Sequence, residues 1–304
     1  MVAADHAARI AGKKLGAVVT DAQLLADVLL HSYQTYQYDL IMVFTDTMVE
    51  AEALGCRVAI PEDDNPYLVE SIGMAARNLA DPDTAGRMPV VLGATRILSQ
   101  AIGKEVPVLT SLKGPFSLAA FLMGVESFLM RLRSDPDTCQ ALLRFALRNQ
   151  RRYANAIIAA GGIPFIGDPL ASGDLISRRD FNDFVLPYLQ ELIRQLRTRP
   201  VGLHICGDMS DRLEAMRDTG AEILSVDEVD LGHARRALGY DVVLMGNVST
   251  QLIHQGSADE VKQAARKCLA DAGPRMILSS ACDVPRDAPA ENVRAIVEQG
   301  REVR

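Results

Sequence analysis

The chain has 304 residues, 48% of them hydrophobic and 23% charged, with no tryptophan, the balance of an ordinary soluble globular protein. A net charge of -7 leaves no excess of Lys and Arg to neutralise phosphates, which argues against non-specific nucleic-acid binding. No run of about 18 or more uncharged apolar residues is present, which excludes an evident membrane span, and residues 1–14 carry Asp5, His6, Arg9, Lys13 and Lys14 where a secretory signal needs an apolar core; the expectation is a cytoplasmic protein.

From about residue 40 onward, short apolar runs alternate with longer amphipathic segments. In chain order the expected strands are 40–44, 106–111, 163–166, 201–205, 222–226, 242–245 and 275–279. Between them, Ser134-Asp135-Pro136-Asp137 ends one helix and caps the next, expected over 138–160. The period of Phe181, Phe184, Val185, Tyr188, Leu189, Leu192 and Ile193 predicts a helix over 181–196. Gly220 follows a helical segment at 210–219 and Gly239 one at 234–238, each in the place of a helix C-terminal glycine. Regular alternation of strand and helix implies a parallel sheet covered by helices. The absence of a glycine-rich phosphate turn favours a closed (β/α)8 TIM barrel over an open doubly wound sheet. No repeat or linker divides the chain, so residues 1–304 are expected to form one α/β domain. Polar residues follow the apolar runs, as a barrel's C-terminal rim requires: Thr45-Asp46, Lys113-Gly114, Gly167-Asp168, His204-Ile205-Cys206, Asp227-Glu228, Gly246-Asn247 and Cys282-Asp283.

Five cysteines, odd in number and scattered, do not make a disulfide framework and are better read as free thiols or metal ligands. At the end of one strand His204 and Cys206 stand two residues apart, so the alternation of a strand puts both on one side and Ile205 on the other. Cys282 closes the last apolar run, and barrel strands converge on one mouth. Two thiolates and an imidazole suit zinc, and three protein ligands with a vacant fourth position mark a catalytic rather than a structural site. A lone Cys or His would more often be a small buried core residue; the H-x-C pair with a matching third ligand favours the metal.

Residues 203–208 (LHICGD) and 280–285 (SACDVP) resemble the zinc motifs of the methylcobamide:coenzyme M methyltransferases, members of the uroporphyrinogen decarboxylase superfamily. The resemblance extends through 167–177 (GDPLASGDLIS), Leu186-Pro187-Tyr188, 224–230 (LSVDEVD), Gly246-Asn247-Val248 and Glu291-Asn292-Val293. It implies a (β/α)8 barrel, a Zn2+ ion on His204, Cys206 and Cys282, and methyl transfer between a small-molecule thiol or methyl ether and a corrinoid (cobalamin). The corrinoid is expected on a partner protein, because the chain has no D-x-H-x-x-G cobalamin motif. Members of the superfamily usually begin with a further arginine-bearing helix that is not seen here, so the N-terminal element is expected to be shortened or the first strand built differently. A homodimer is compatible with the sequence.

The same resemblance places Glu50, in an E-A-E-x-L-G stretch, near the metal as a fourth ligand displaced by substrate, although acids at a helix start serve equally as dipole partners. Phe44-Thr45-Asp46 is similar to the decarboxylases' F-S-D, whose aspartate holds pyrrole nitrogens; it supports the alternative activity, a metal-free decarboxylase of the uroporphyrinogen type. Asp168, Ser172 and Asn247 are expected to shape the substrate pocket or simply to form turns. One of Asp227, Glu228 and Asp230 is a candidate to orient His204.

Overall fold

A computed structural model describes residues 1–75, 78–198 and 200–302. All seven expected strands form. β1 (Ile41–Val43) is followed by a short antiparallel pair, β2 (Arg57–Ala59) and β3 (Tyr67–Glu70), and then by β4 (Val108–Lys113), β5 (Ile163–Gly167), β6 (Gly202–Ile205), β7 (Ile223–Val226), β8 (Val243–Val248) and β9 (Met276–Ser280). β1 and β4 to β9 make one parallel sheet in chain order, each strand bonded to the next. Helices lie between successive strands, which is what a right-handed parallel crossover requires.

The strands alternate strictly, and the two faces bury different cores. Met42, Leu109, Phe165, Ile223 and Met245 meet in a small inner cluster, which shows that the sheet curls until distant strands converge. Their neighbours Ile41, Val43, Leu112, Ile166, Leu203, Leu224 and Leu244 face the helices in the larger core. Each such side chain, withdrawn fully from water, contributes roughly 1.5–3 kcal/mol. Both faces are therefore largely apolar in the middle of the strands, with Thr110 of β4 an exception that meets the hydroxyl of Thr95.

The expected eight-stranded closure is not what the described residues show. The sheet has seven strands, and β1 and β9 do not pair. Three helices, Ala4–Ile10, Leu15–Val18 and Ala22–Tyr36, precede β1, and the third packs on the helix Met88–Ile102 outside the sheet. The first residues bridge the two edges: the amide of Ala4 donates to the carbonyl of Phe44, and that of Val284 to the carbonyl of Met1. Below this bridge the seam is an apolar cleft of about 440 Å³ lined by residues such as Leu40, Met42, Ile277 and Val297.

Two helices also differ from expectation. The segment expected over 181–196 breaks into Arg178–Phe184 and Leu186–Gln195. Pro187 lacks the N–H that would bond back to Asp183 and so stops a continuous helix there. The helix expected over 138–160 runs Pro136–Ala159, and Asp135 caps it by accepting from the amide of Thr138. Gly220, at φ 84°, holds the left-handed turn after the helix Leu213–Asp218.

Candidate metal centre

Register decides which side chains share the barrel mouth. Lys113 lies opposite Gly167, Gly167 opposite His204 and His204 opposite Ser225, so these four residues form one layer across β4, β5, β6 and β7. Lys113 is two and four residues beyond Ser111 and the inner-cluster Leu109, and Gly167 is two beyond Phe165; the layer faces inward. His204 and Cys206 turn inward from β6, while Ile205 between them is wholly buried among the helix-facing residues. Cys282 follows β9, whose end is still held to β8 by the amide of Ala281 donating to the carbonyl of Val248.

The ligand atoms of His204, Cys206 and Cys282 all lie within 4.8 Å of one another. His204 Nε2 is 3.3 Å from Cys206 Sγ, and the two sulfurs are 3.9 Å apart. A tetrahedral zinc with Zn–S about 2.3 Å and Zn–N about 2.0–2.1 Å separates two sulfurs by about 3.8 Å and a sulfur from a nitrogen by about 3.6 Å. The donor set and its spacing fit that ion. His204 Nδ1 lies 3.1 Å from the hydroxyl of fully buried Ser225; donation from Nδ1–H to this oxygen leaves the Nε2 lone pair free to face the sulfurs. Contact between the two thiols, with His204 beside them, pushes the pKa of Cys282 down and that of Cys206 up.

Other expected site residues lie elsewhere. Glu50 sits in the first turn of the helix Val49–Ala53, but its carboxylate is buried behind β4, where Oε1 accepts from the amide of Lys113 at 2.6 Å and from Gln150 Nε2 at 3.2 Å. Burial pushes its pKa up, and the Lys113 charge and these hydrogen bonds oppose the rise. It is not part of the metal-ligating group. Asp46 is held by Arg87, whose Nη1 and Nη2 engage both carboxylate oxygens, the second at 3.1 Å. Both side chains of this pair are at 5% exposure or less.

Asp168, at the end of β5, accepts from the amide of Ser117 at 2.7 Å and thereby caps the helix Pro115–Met123. It is completely buried, which pushes its pKa up to about 6, and its second oxygen has no partner. Ser172 binds Asp174 through its hydroxyl, and Asn247 donates to the carbonyls of Asp227 and Val229. These residues hold the rim loops rather than joining the cluster. The acidic candidates for orienting His204 are likewise engaged in loops: Asp227 accepts from the amide of Gly207, Asp230 caps the helix Leu231–Leu238, and Glu228 is exposed. Ser225, not one of these acids, lies within hydrogen-bond distance of His204. Ser225 went unrecognised in the sequence because a single Ser within a strand carries no motif, and Lys113 was read only as one of the polar rim residues; the strand register is the signal that places both beside His204.

The uroporphyrinogen decarboxylase (URO-D) family model matches residues 1–303. A methylated-thiol–coenzyme M methyltransferase of Methanosarcina mazei is 30% identical over 287 residues, covering 93% of this chain and 77% of the relative. The methylcobamide:CoM methyltransferase MtbA of the same organism is 31% identical over 296 residues, covering 93% and 86%. A solved methyltransferase structure from Methanosarcina mazei superposes with a TM-score of 0.92 at 28% identity, covering 98% of this chain and 90% of that one. By the match along its length, its curled parallel sheet and the thiol–imidazole cluster at its mouth, the chain belongs to the uroporphyrinogen decarboxylase (URO-D) family, alongside the methylcobamide:CoM methyltransferases.

Proposed function

We propose that this chain is a zinc-dependent methyltransferase that moves a methyl group between a small thiol and a corrinoid carried by a separate protein. The observation that carries this reading is the cluster of one imidazole and two thiols at tetrahedral spacing, set in the mouth of a sheet shared with relatives named as methylcobamide:CoM methyltransferases. His204, Cys206 and Cys282 would hold the ion. Zinc makes a bound thiol ionise at neutral pH, which turns it into a nucleophile or a good leaving group. The protein's part is to keep three donors in place, to fix the His204 tautomer through Ser225, and to leave the fourth position open to substrate.

Asp168, Ser172 and Asn247 serve by holding the loops around that opening, and the corrinoid protein docks over the same rim. Five unpaired cysteines suit a reducing compartment such as the cytoplasm. Among the described residues no single helix is long and apolar enough to cross a membrane. The decarboxylase alternative is disfavoured by the Asp46–Arg87 pair, which occupies the carboxylate it needs.

The test combines elemental analysis with turnover. Purified protein should carry zinc at about one equivalent per chain, and should demethylate methylcobalamin in the presence of a thiol, followed by the cobalamin absorption spectrum. Cys206→Ser and Cys282→Ser should each strip most of the zinc and lower the rate by about 100-fold or more, because a hydroxyl is a poor soft ligand. Zinc-free protein with full activity, or zinc-loaded protein that transfers methyl to no thiol, would overturn the reading.

A further inference from the structure

The three ligands of the cluster are held in three different ways. His204 lies inside the paired sheet, opposite Gly167 and Ser225, so register sets its backbone. Cys282 is flanked by two main-chain bonds: the amide of Ala281 donates to the carbonyl of Val248, and that of Val284 to the carbonyl of Met1. Cys206 lies just past the β6 ladder, whose last pair with β7 is Ile205 opposite Val226. Its direction is set by the turn that follows it.

That turn is held by side chains from two other loops. The amide of Gly207 donates to Asp227 Oδ2 at 3.0 Å, from the loop after β7, and the amide of Asp208 donates to Asp174 Oδ2 at 3.3 Å, from the loop after β5. Gly207 has φ 74°, a left-handed conformation that favours glycine, and a Cβ on it would collide with Asp174 Oδ2 and Ser172 Oγ. The hydroxyl of Ser172 donates to the same Asp174 oxygen and steadies it. An ionised acceptor binds an amide more strongly than a neutral one, and both amides after Cys206 are taken by carboxylates. Neither aspartate belongs to the metal-ligating group; what they hold is the backbone that aims one of its members.

We propose that Asp227 is a positioning residue for Cys206, with Asp174 as its weaker counterpart: by holding the two amides after the cysteine, they keep its sulfur turned toward His204 and Cys282. The inference rests on the metal-centre reading and goes beyond it by assigning the residues that aim one ligand. It also gives Gly207 its reason, since only a residue without a side chain lets Asp174 approach the turn.

Cobalt(II) bound in place of zinc reports the ligands directly, because each thiolate on the ion adds charge-transfer absorption in the near ultraviolet; competition with a chromophoric chelator gives the zinc affinity of the same proteins. Asp227→Ala should weaken zinc binding about 10- to 100-fold, the usual cost of losing an orienting partner, and its absorption per bound cobalt should fall toward the one-thiolate level of Cys206→Ser. A role confined to holding the loop would leave that absorption per ion unchanged. Asp227→Asn keeps an oxygen to accept from the amide of Gly207 and should restore most of both. Asp174→Ala should weaken zinc binding about 3- to 10-fold, in keeping with its longer bond. Glu228→Ala removes an exposed neighbouring charge without touching either amide and should leave both readouts as in the wild type. Circular dichroism establishes that each variant is folded; if Asp227→Ala does not fold, Asp174→Ala, altered at an exposed residue, carries the comparison. Wild-type affinity and absorption in the variant so tested, or an equal loss in Glu228→Ala, would overturn the role of the aspartates while leaving the metal-centre reading intact. Wild-type protein that binds neither zinc nor cobalt would overturn that reading and this proposal with it.

Discussion

At the scale of single residues, the proposed metal centre would depend on one hydrogen bond as well as on its ligands. Ser225 fixes the ring of His204 from a fully buried position, so Ser225→Ala should weaken zinc binding by about 10- to 100-fold, the usual cost of losing such an orienting partner. Competition with a chromophoric chelator measures it, and unchanged affinity would mean that the ring is held by packing alone. The contrast with Glu50 is instructive. Its sequence context suited a ligand, yet its carboxylate holds the amide of Lys113 and meets Gln150. Its effect on the site is therefore transmitted through the backbone of Lys113.

At the scale of elements, the C-terminal ends of the strands are where buried charge is concentrated, and Asp168 shows its cost. Burial raises its pKa from 3.8 to about 6. A carboxyl group with a raised folded pKa contributes stability that is complete below its unfolded value and is lost as the pH rises through the folded one. Asp168→Asn keeps an acceptor for the amide of Ser117 and removes the charge. Relative to wild type, the variant should therefore gain stability between pH 5 and pH 8, by about 1–1.5 kcal/mol at 1.36 kcal/mol per unit. Urea unfolding at the two pH values gives the difference, and a constant gap between the proteins would show that Asp168 is not ionising in that range. The elements themselves were largely legible: seven runs of apolar residues became seven strands because alternation and burial coincide in a sheet covered by helices. The helix break at Pro187 was legible in principle, since the proline was present, but the continuous apolar face of 181–196 masked it. The pair β2 and β3 left no signal, being short and mostly exposed.

At the scale of the whole molecule, the core does not depend on the metal. The larger core, between sheet and helices, extends over the whole chain, whereas the cluster occupies only the rim. Chelation should leave the far-ultraviolet circular dichroism unchanged and the unfolding cooperative. The midpoint should fall by about 5–15 °C, the shift expected when a ligand present at about 1,000 times its Kd, worth about 4 kcal/mol, is withdrawn from a domain of this size. Loss of the cooperative transition in the metal-free protein would show that zinc organises the fold. The open seam between β1 and β9 belongs to this scale too, because closure concerns the two ends of the sheet rather than any one strand.

The sequence by itself determined the strand order, the helix layer and the identity of the three candidate ligands. Those depend on period, turn residues and the chemistry of Cys and His, all of which are local. Only the tertiary structure decided which neighbours those ligands meet. Ser225 and Lys113 join His204 through register between strands, a relation set by how four separate segments slide into pairing. The same holds for Asp46 and Glu50: their composition and spacing suited a site, but their partners, Arg87 just before the helix Met88–Ile102 and Gln150 in the helix Pro136–Ala159, come from distant segments whose packing no local pattern specifies. Side-chain direction at the end of a strand can be read from alternation, whereas the company a side chain keeps is settled only when the sheet curls and the helices close over it.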